Sequence, residues 1–304
     1  MIKRKTLLLS IVFLAIFAYK NPYVWAGEIC HYINGSEGIK AATLPPPGFY
    51  YRVYNAYYHA SELKDGGGRG LDLDFQISAY AEVNYITWIT NHKFLGANYA
   101  YSLVIPFVYQ KIRANNGLND SSLGLADIII EPVILGWHGK QFDTAFAIGG
   151  FIPTGKYDPN KPSSPGKDHW TGLFTLGGTY YFDEKKGWSA AILTRFEMHT
   201  PKLDKNIKAG NDFHFDWGLA KTITRKWIWD VGASGYCHWQ LTDDRGSDIN
   251  WDPNIHDRVF AAGPEIAVLI PKHALHISLR TLWEFGAKDR PEGTFTCLRV
   301  VKRF

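Results

Sequence analysis

The feature that most restricts this chain is a period of two. From Phe49 onward, apolar and polar residues alternate instead of recurring every three or four positions. Phe213, Phe215, Trp217 and Leu219 point one way; Asp212, His214, Asp216 and Gly218 point the other. Trp229, Val231, Ala233, Cys237, Trp239 and Leu241 alternate likewise with Asp230, Ser234, Tyr236, His238 and Gln240. Leu275, Ile277, Leu279, Thr281, Trp283 and Phe285 do so with His276, Ser278, Arg280 and Glu284. Neighbouring side chains of a strand leave on opposite faces, so each segment has one apolar face and one strongly polar face.

A soluble β-sandwich also alternates, and it is the competing reading. Length and aromatic placement favour lipid. The segments commonly run roughly 12 to 18 residues, whereas soluble strands average about 5 or 6. Aromatics collect at segment ends, where interfacial girdles form: Trp137 and Phe142, Tyr180 and Phe182, Trp188, Trp227 and Trp229. Aromatics make up 15% of the chain and charged residues only 20%, which suits strands with lipid on one side and water on the other. Beyond residue 26 no apolar run approaches the roughly 20 residues of a membrane helix. Net charge is +4, with Lys and Arg scattered, so a nucleic-acid partner is not expected.

Strands are predicted at 48–61, 72–90, 95–112, 124–138, 141–154, 169–183, 187–199, 211–223, 227–241, 257–270, 275–287 and 293–304. The links at 91–94, 139–140, 183–186, 224–226 and 271–274 are tight. Those at 64–70, 113–123, 155–168, 200–210 and 242–256 are longer and rich in Gly, Pro, Asn and Asp. Short turns alternating with long loops predict periplasmic turns and extracellular loops. The fold class expected is all-β: a transmembrane, antiparallel, up-and-down β-barrel of about 12 strands over 48–304. Closure removes the free edges such strands could not leave exposed.

The N-terminus sets the compartment. Lys3, Arg4 and Lys5 precede an apolar stretch at 6–18, and Val24, Trp25 and Ala26 supply a cleavage site. A signal peptide over 1–26, cut after Ala26, would deliver the chain to the bacterial outer membrane, with its lipid as partner. Residues 27–47, GEICHYINGSEGIKAATLPPP, are expected to plug the lumen or to lie at the periplasmic mouth. Ile33, Ile39 and Leu44 favour the plug. Cys30, Cys237 and Cys297 are odd in number and widely spaced, which suits neither a disulfide framework nor a zinc site. One bridge stays open as an alternative to incidental small apolar residues.

Inward parity selects candidate lumen residues: Glu82, Asp127, Glu131, Arg195, Glu197, His214, Asp216, His238, Glu265, Arg280, Glu284, Arg299 and Arg303. They either form a constriction that selects cargo or simply satisfy one another in a narrow lumen. Pro106, Pro132, Pro153 and Pro264 fall inside predicted strands, where a missing N–H marks a bulge or a lateral opening. His59, His199, His214, His238 and His256 raise the question of an outer-membrane hydrolase. However, no Gly-x-Ser-x-Gly elbow is present, and Ser234 lies four residues from His238 on the same face. No catalytic residue, metal site or cofactor is therefore assigned, and no enzyme is expected.

Several segments carry a family likeness: LPPPGFYY (44–51), LGLADIIIEPVILGW (123–137), GFIPTGKYD (150–158), TLGGTYYFDEKKGWSAAILTRFEMHT (175–200), DFHFDWGLAKT (212–222), WQLTDD (239–244), GPE (263–265) and LWEFGAKDRPEGT (282–294). Over roughly 31–304 the chain resembles the outer-membrane proteins named for the meta-pathway of phenol degradation, distant relatives of fatty-acid-type transporters. The resemblance implies a barrel that moves small hydrophobic or aromatic molecules. The terminal Phe304 resembles the signal read by the barrel assembly machinery, although Lys302 stands where an apolar residue is usual. A structural or adhesive barrel without transport is the rival function.

Overall fold

The computed structural model describes residues 30–304; the expected signal peptide lies outside them. The strands are β1 (Gly48–Leu63), β2 (Gln76–Phe94), β3 (Ala97–Arg113), β4 (Asn119–Leu125), β5 (Ile128–His138), β6 (Phe142–Ile152), β7 (Thr171–Tyr181), β8 (Trp188–His199), β9 (Asp212–Thr224), β10 (Ile228–Gln240), β11 (Arg258–Ile270), β12 (Leu275–Lys288) and β13 (Pro291–Arg303). All pairings are antiparallel, and β1 pairing with β13 closes the sheet. Both β4 and β5 pair with β3. They form one wall strand broken at Ala126 and Asp127, so the thirteen segments make a twelve-stranded barrel.

The prolines explain several irregularities. Pro106 sits where β3 changes partner from β5 to β4, and its carbonyl accepts from Ala126 N at 2.9 Å. Around Pro132 the register of β5 shifts against both neighbours, which is a bulge. At Pro264 the ladder to β10 is continuous, but the ladder to β12 skips from Ala262 to Glu265. Pro153 falls just beyond β6.

Two predicted links differ from the structure. Residues 91–94 belong to β2, and the turn is Leu95–Gly96, with φ of 50° and 79°. A two-residue turn with both φ positive matches the twist of the flanking strands, so pairing runs on to the tip. The long loop expected at 113–123 is mostly strand. The hairpin turns over 114–118, with Gly117 at φ 93°, and Asn119–Leu125 continues the wall. Its polar residues read as loop, yet ladder pairing needs only backbone groups where a strand stands clear of lipid.

The outer face is the greasy one. Trp88, Phe94, Phe142, Tyr180, Phe182 and Trp188 are exposed near the tight turns; Tyr57, Tyr80, Tyr109, Trp170, Leu241 and Trp283 are exposed toward the other end. Ile148, Ile192, Val231, Ile266, Leu279 and Leu298 occupy the belt between these girdles. Among the described residues no helix is long and apolar enough to cross a membrane. Strands of 11 to 19 residues, inclined to the barrel axis, cover the hydrocarbon layer instead.

Glu82 corrects the parity argument. Ala81, Thr87 and Ile89 are buried inside, so Glu82 is exposed on the lipid-facing side, opposite Asn55 and Phe107. There Asn84 Nδ2 donates to its Oε1 at 3.3 Å, Tyr51 donates to Asn84, and Tyr80 donates to Asn55 at 2.7 Å. In Ala79–Asn84 the usual sense is inverted, with Ala79, Ala81 and Val83 facing inward and Tyr80, Glu82 and Asn84 outward, so alternation alone assigns the wrong face.

The orientation has a measurable consequence in urea titrations of protein refolded into vesicles. Glu82→Leu should leave stability unchanged or raise it by up to about 1–2 kcal/mol, because it removes a carboxylate from lipid. Leu279→Arg, in the middle of the belt, should cost about 2–4 kcal/mol. A large loss for Glu82→Leu combined with no loss for Leu279→Arg would mean that the faces are reversed.

Candidate functional site: a leader docked in a charged lumen

Residues 30–47 run down the inside of the barrel and end at Pro47, where β1 begins. With glycines, scattered polar residues and three prolines, this segment makes no helix or ladder of its own. Its backbone groups must find partners in a space largely removed from water. Carboxylates on the wall supply them. Glu197 on β8 accepts from His31 N at 2.8 Å and Tyr32 N at 3.1 Å. Asp216 on β9 accepts from Gly35 N at 2.9 Å and Glu37 N at 3.2 Å. Glu265 on β11 accepts from Ile39 N at 3.0 Å, while Arg280 on β12 donates to Gly35 O at 2.9 Å. The approach leaves no room for side chains: a Cβ on Gly38 would lie 2.1 Å from Glu265 Oε2, and one on Gly218 would lie 2.6 Å from Ile39 N.

Wall cations then balance the acids. Arg280 pairs with Glu265 at 3.1 Å, and both are fully buried. Arg195 pairs with Asp216 at 3.1 Å and stacks over the Tyr32 ring at 4.0 Å. Lys40 of the leader reaches Asp230 at 2.7 Å and Thr222 at 3.0 Å. Glu37 is held by Arg299, by Tyr54 at 2.6 Å and by Arg52 at 3.6 Å. Burial pushes the Glu37 carboxyl up, but Arg299 and Arg52 outweigh that and hold it down at about 2. Isolated ions here would be costly, whereas paired and hydrogen-bonded ones fix a single arrangement.

Toward the extracellular end the lumen fills with alternating histidines and acids. His214 Nε2 lies 2.8 Å from Glu197, His199 Nε2 lies 3.0 Å from Asp212, and His238 Nε2 lies 2.6 Å from Asp257. His31 Nε2 lies 2.9 Å from Asp127, and Thr171 Oγ1 stands between His31 Nδ1 and His199 Nδ1 at 2.9 and 2.8 Å. Arg290 reaches Asp257 at 3.4 Å.

Of the residues singled out by parity, Arg195, Glu197, His214, Asp216, His238, Glu265, Arg280 and Arg299 are buried in the lumen, and all except His238 meet the leader directly or through one pair. Asp127 lies in the break of the wall strand, not on a strand, and accepts from Gly155 N and Lys167 N, both at 2.8 Å. Glu131 accepts from Ser102 at 2.5 Å and from Tyr85. Glu284 accepts from Tyr58 at 2.7 Å, Tyr236 at 2.6 Å and Gly293 N at 2.7 Å. Arg303 holds Pro47 O at 2.7 Å at the rim. Glu82 takes no part.

Parity left out Arg52, although Tyr50, Arg52 and Tyr54 alternate as clearly as any inward set. His31, Glu37 and Lys40 carried no signal, because their positions depend on where the leader lies, and His169 sits in a loop before β7 that has no alternation to read. Ser234 Oγ is buried without a hydrogen-bond partner, and His238 is engaged by Asp257. His238 Nδ1 is likewise without a partner, so the two side chains make no hydrogen bond to each other. The three cysteines are free thiols, with Cys30 and Cys297 buried.

Between the docked segment and the wall lies a cavity of about 670 Å³. One side, on β3 and β5–β8, is largely apolar: Val104, Ile134, Ala147, Leu173 and Leu193, interrupted by Glu131 and Arg195. Facing it are the leader and the charged groups Lys40, Arg52, Asp230 and Arg299. Pro46, Pro271 and Arg303 line it at the periplasmic rim.

The fold matches that of an outer-membrane channel from Pseudomonas putida F1, with TM-score 0.73 and 11% identity, covering 87% of this chain and 98% of that one. The β-domain of the Bordetella autotransporter BrkA matches with TM-score 0.53 and 10% identity, covering 86% and 100%. The transport unit of the Escherichia coli autotransporter AIDA-I matches with TM-score 0.50 and 8% identity, covering 90% and 93%. No curated protein matches the chain in sequence. Residues 60–300 match the family described as "Putative MetA-pathway of phenol degradation". With most of the barrel inside that match, this outer-membrane β-barrel belongs to that family.

Proposed function

We propose that the protein is a passive outer-membrane channel for small hydrophobic or aromatic molecules, with residues 30–47 acting as a plug. The observation that carries this reading is the cavity between leader and wall. Its volume falls in the range of small-molecule sites, and it sets an apolar surface against a few fixed charges. A flat aromatic molecule would place its face on Leu173 and Leu193 and its polar edge toward Arg52 or Arg299. The packed upper lumen means that passage requires the leader to move or the cargo to leave sideways. Pro264, with its gap in the β11–β12 ladder, is a wall position where a side exit would cost few hydrogen bonds. The same packing is what a purely structural barrel would need, and that is the alternative.

Assembly into the membrane is assigned to Phe304. It is 73% exposed, its ring lies 6.0 Å from that of Phe49, and its N–H donates to Phe49 O at 2.9 Å. It therefore ends the last strand as an accessible apolar handle for the assembly machinery.

Uptake of radiolabelled aromatics and fatty acids by a deletion strain, with and without the gene restored, tests the channel reading. Restored cells should accumulate at least one aromatic compound faster. Leu173→Trp, which fills the cavity, should slow that uptake severalfold. Removal of residues 30–47, or Gly38→Ala, should raise it. Identical uptake in all these strains across the panel would leave the structural alternative standing.

Glu37 adds a pH dependence. Its carboxyl sits near 2 when docked and near the ordinary glutamate value of about 4.3 when released. Docking is therefore at full strength above that ordinary value and weakens as pH falls from there toward about 2. Conductance in planar bilayers should stay level from pH 7 to about 5 and rise below it. In Glu37→Gln that acid-induced rise should disappear; its persistence would show that another group holds the leader.

A further inference from the structure

We infer that the extracellular end of the lumen holds a divalent transition-metal ion of the zinc class, bound by His31, His169 and His199. The three residues come from different places: the leader, the loop entering β7 and the end of β8. One ring nitrogen from each lies within 4.8 Å of the other two. The ring centroids of His31 and His199 are each 5.2 Å from that of His169. Nitrogens about 2.0–2.1 Å from a tetrahedral ion are roughly 3.4 Å apart, so the rings need to close by little more than an ångström.

Hydrogen bonding already sets these rings as ligands. His169 is 2% exposed, and its Nδ1 lies 3.0 Å from the Lys167 carbonyl, which can only accept. Nδ1 therefore carries the proton, and Nε2 is left as a buried lone pair with no hydrogen-bond partner. An orphaned neutral nitrogen in such a place is expensive for the fold unless something binds it. His31 offers a carboxylate on Nε2 through Asp127 at 2.9 Å, and His199 does so through Asp212 at 3.0 Å. A carboxylate or carbonyl behind each imidazole is the outer shell that fixes the tautomer of metal-binding histidines.

The local charge also suits a cation. Lys167 and Lys202 bring positive charge to the region, but Asp127, Asp212 and Glu197 surround the same rings. Three imidazole nitrogens select zinc, nickel or copper over calcium or magnesium, which prefer oxygen. The Thr171 hydroxyl, between His31 and His199, is placed beside the ion. Because His31 belongs to the leader and the other two ligands to the barrel, a bound ion cross-links the leader to the wall.

The test uses the full mature chain in detergent, with Zn²⁺ as the probe in calorimetric titration. One ion per chain is expected. His169→Ala and His31→Ala should each weaken binding by at least the roughly ten- to hundredfold that losing an outer-shell partner costs, while His92→Ala, at an exposed position on β2, should leave it unchanged. Equal affinity in wild type and His169→Ala, or loss in His92→Ala, would overturn the assignment. Zinc-edge X-ray absorption on the wild-type protein provides a measurement independent of any variant's folding. Imidazole scattering from three nitrogens is expected, and a shell of oxygen alone would refute the site.

Discussion

The structure turns on the hydrogen bonds between the leader's backbone amides and three wall carboxylates. A chain segment placed inside a barrel cannot join the ladder, because every wall strand already has two neighbours. Its N–H groups must be met by side chains. Glu197, Asp216 and Glu265 accept five of them from three separate strands. A carboxylate is suited to this task because each oxygen can accept more than one bond, and ionised acceptors bind amides more strongly than neutral ones. The acids in turn need balance, which explains why Arg195 and Arg280 stand beside Asp216 and Glu265. The charge pattern of the lumen thus follows from the path of eighteen residues of irregular backbone, not from cargo alone.

The outer face obeys the opposite requirement. Hydrocarbon offers no partner for a polar group, so the wall pairs its backbone groups by closure, apart from the gaps and bulges at Pro132 and Pro264, and presents aromatic and aliphatic side chains outward. The patch of Glu82, Asn84, Asn55, Tyr51 and Tyr80 is the departure. Its members bond to one another across β1 and β2 instead of reaching inward. Grouping polar residues lowers the cost of each, since every hydrogen bond made there replaces one that lipid cannot supply.

Much of this was legible in the chain. Long period-two segments with aromatic ends specified a closed barrel of twelve strands, because no other antiparallel arrangement buries such faces without open edges. The clear alternation of β9, β10 and β12 placed His214, Asp216, His238, Arg280 and Glu284 correctly inside. Where small apolar residues line the lumen and polar ones face out, as in Ala79–Asn84, the usual parity points the wrong way, and Glu82 is the result. Two turns moved because a hairpin tip is set by backbone dihedrals at Leu95, Gly96 and Gly117, not by polarity. The partners of the inward residues were beyond reach of pattern. Glu37, Lys40 and His31 acquire their roles from a leader path that has no periodicity to read.

That path also divides the lumen into two unlike regions. The leader's upper part is bound on several sides by groups that each hold more than one partner, so displacing it breaks many charge-assisted bonds together. Its lower part, from Ala41 to Pro46, borders the cavity and is held by neutral contacts such as that of Thr43 with the Tyr181 hydroxyl at 3.1 Å. Three consecutive prolines stiffen the last turn before β1 and lack N–H groups that would need acceptors. The lower leader can therefore shift against Leu173 and Leu193 while the upper leader stays anchored. Motion is cheapest where the apolar surface lies, and this makes the cavity rather than the histidine-lined end the part of the lumen able to change shape.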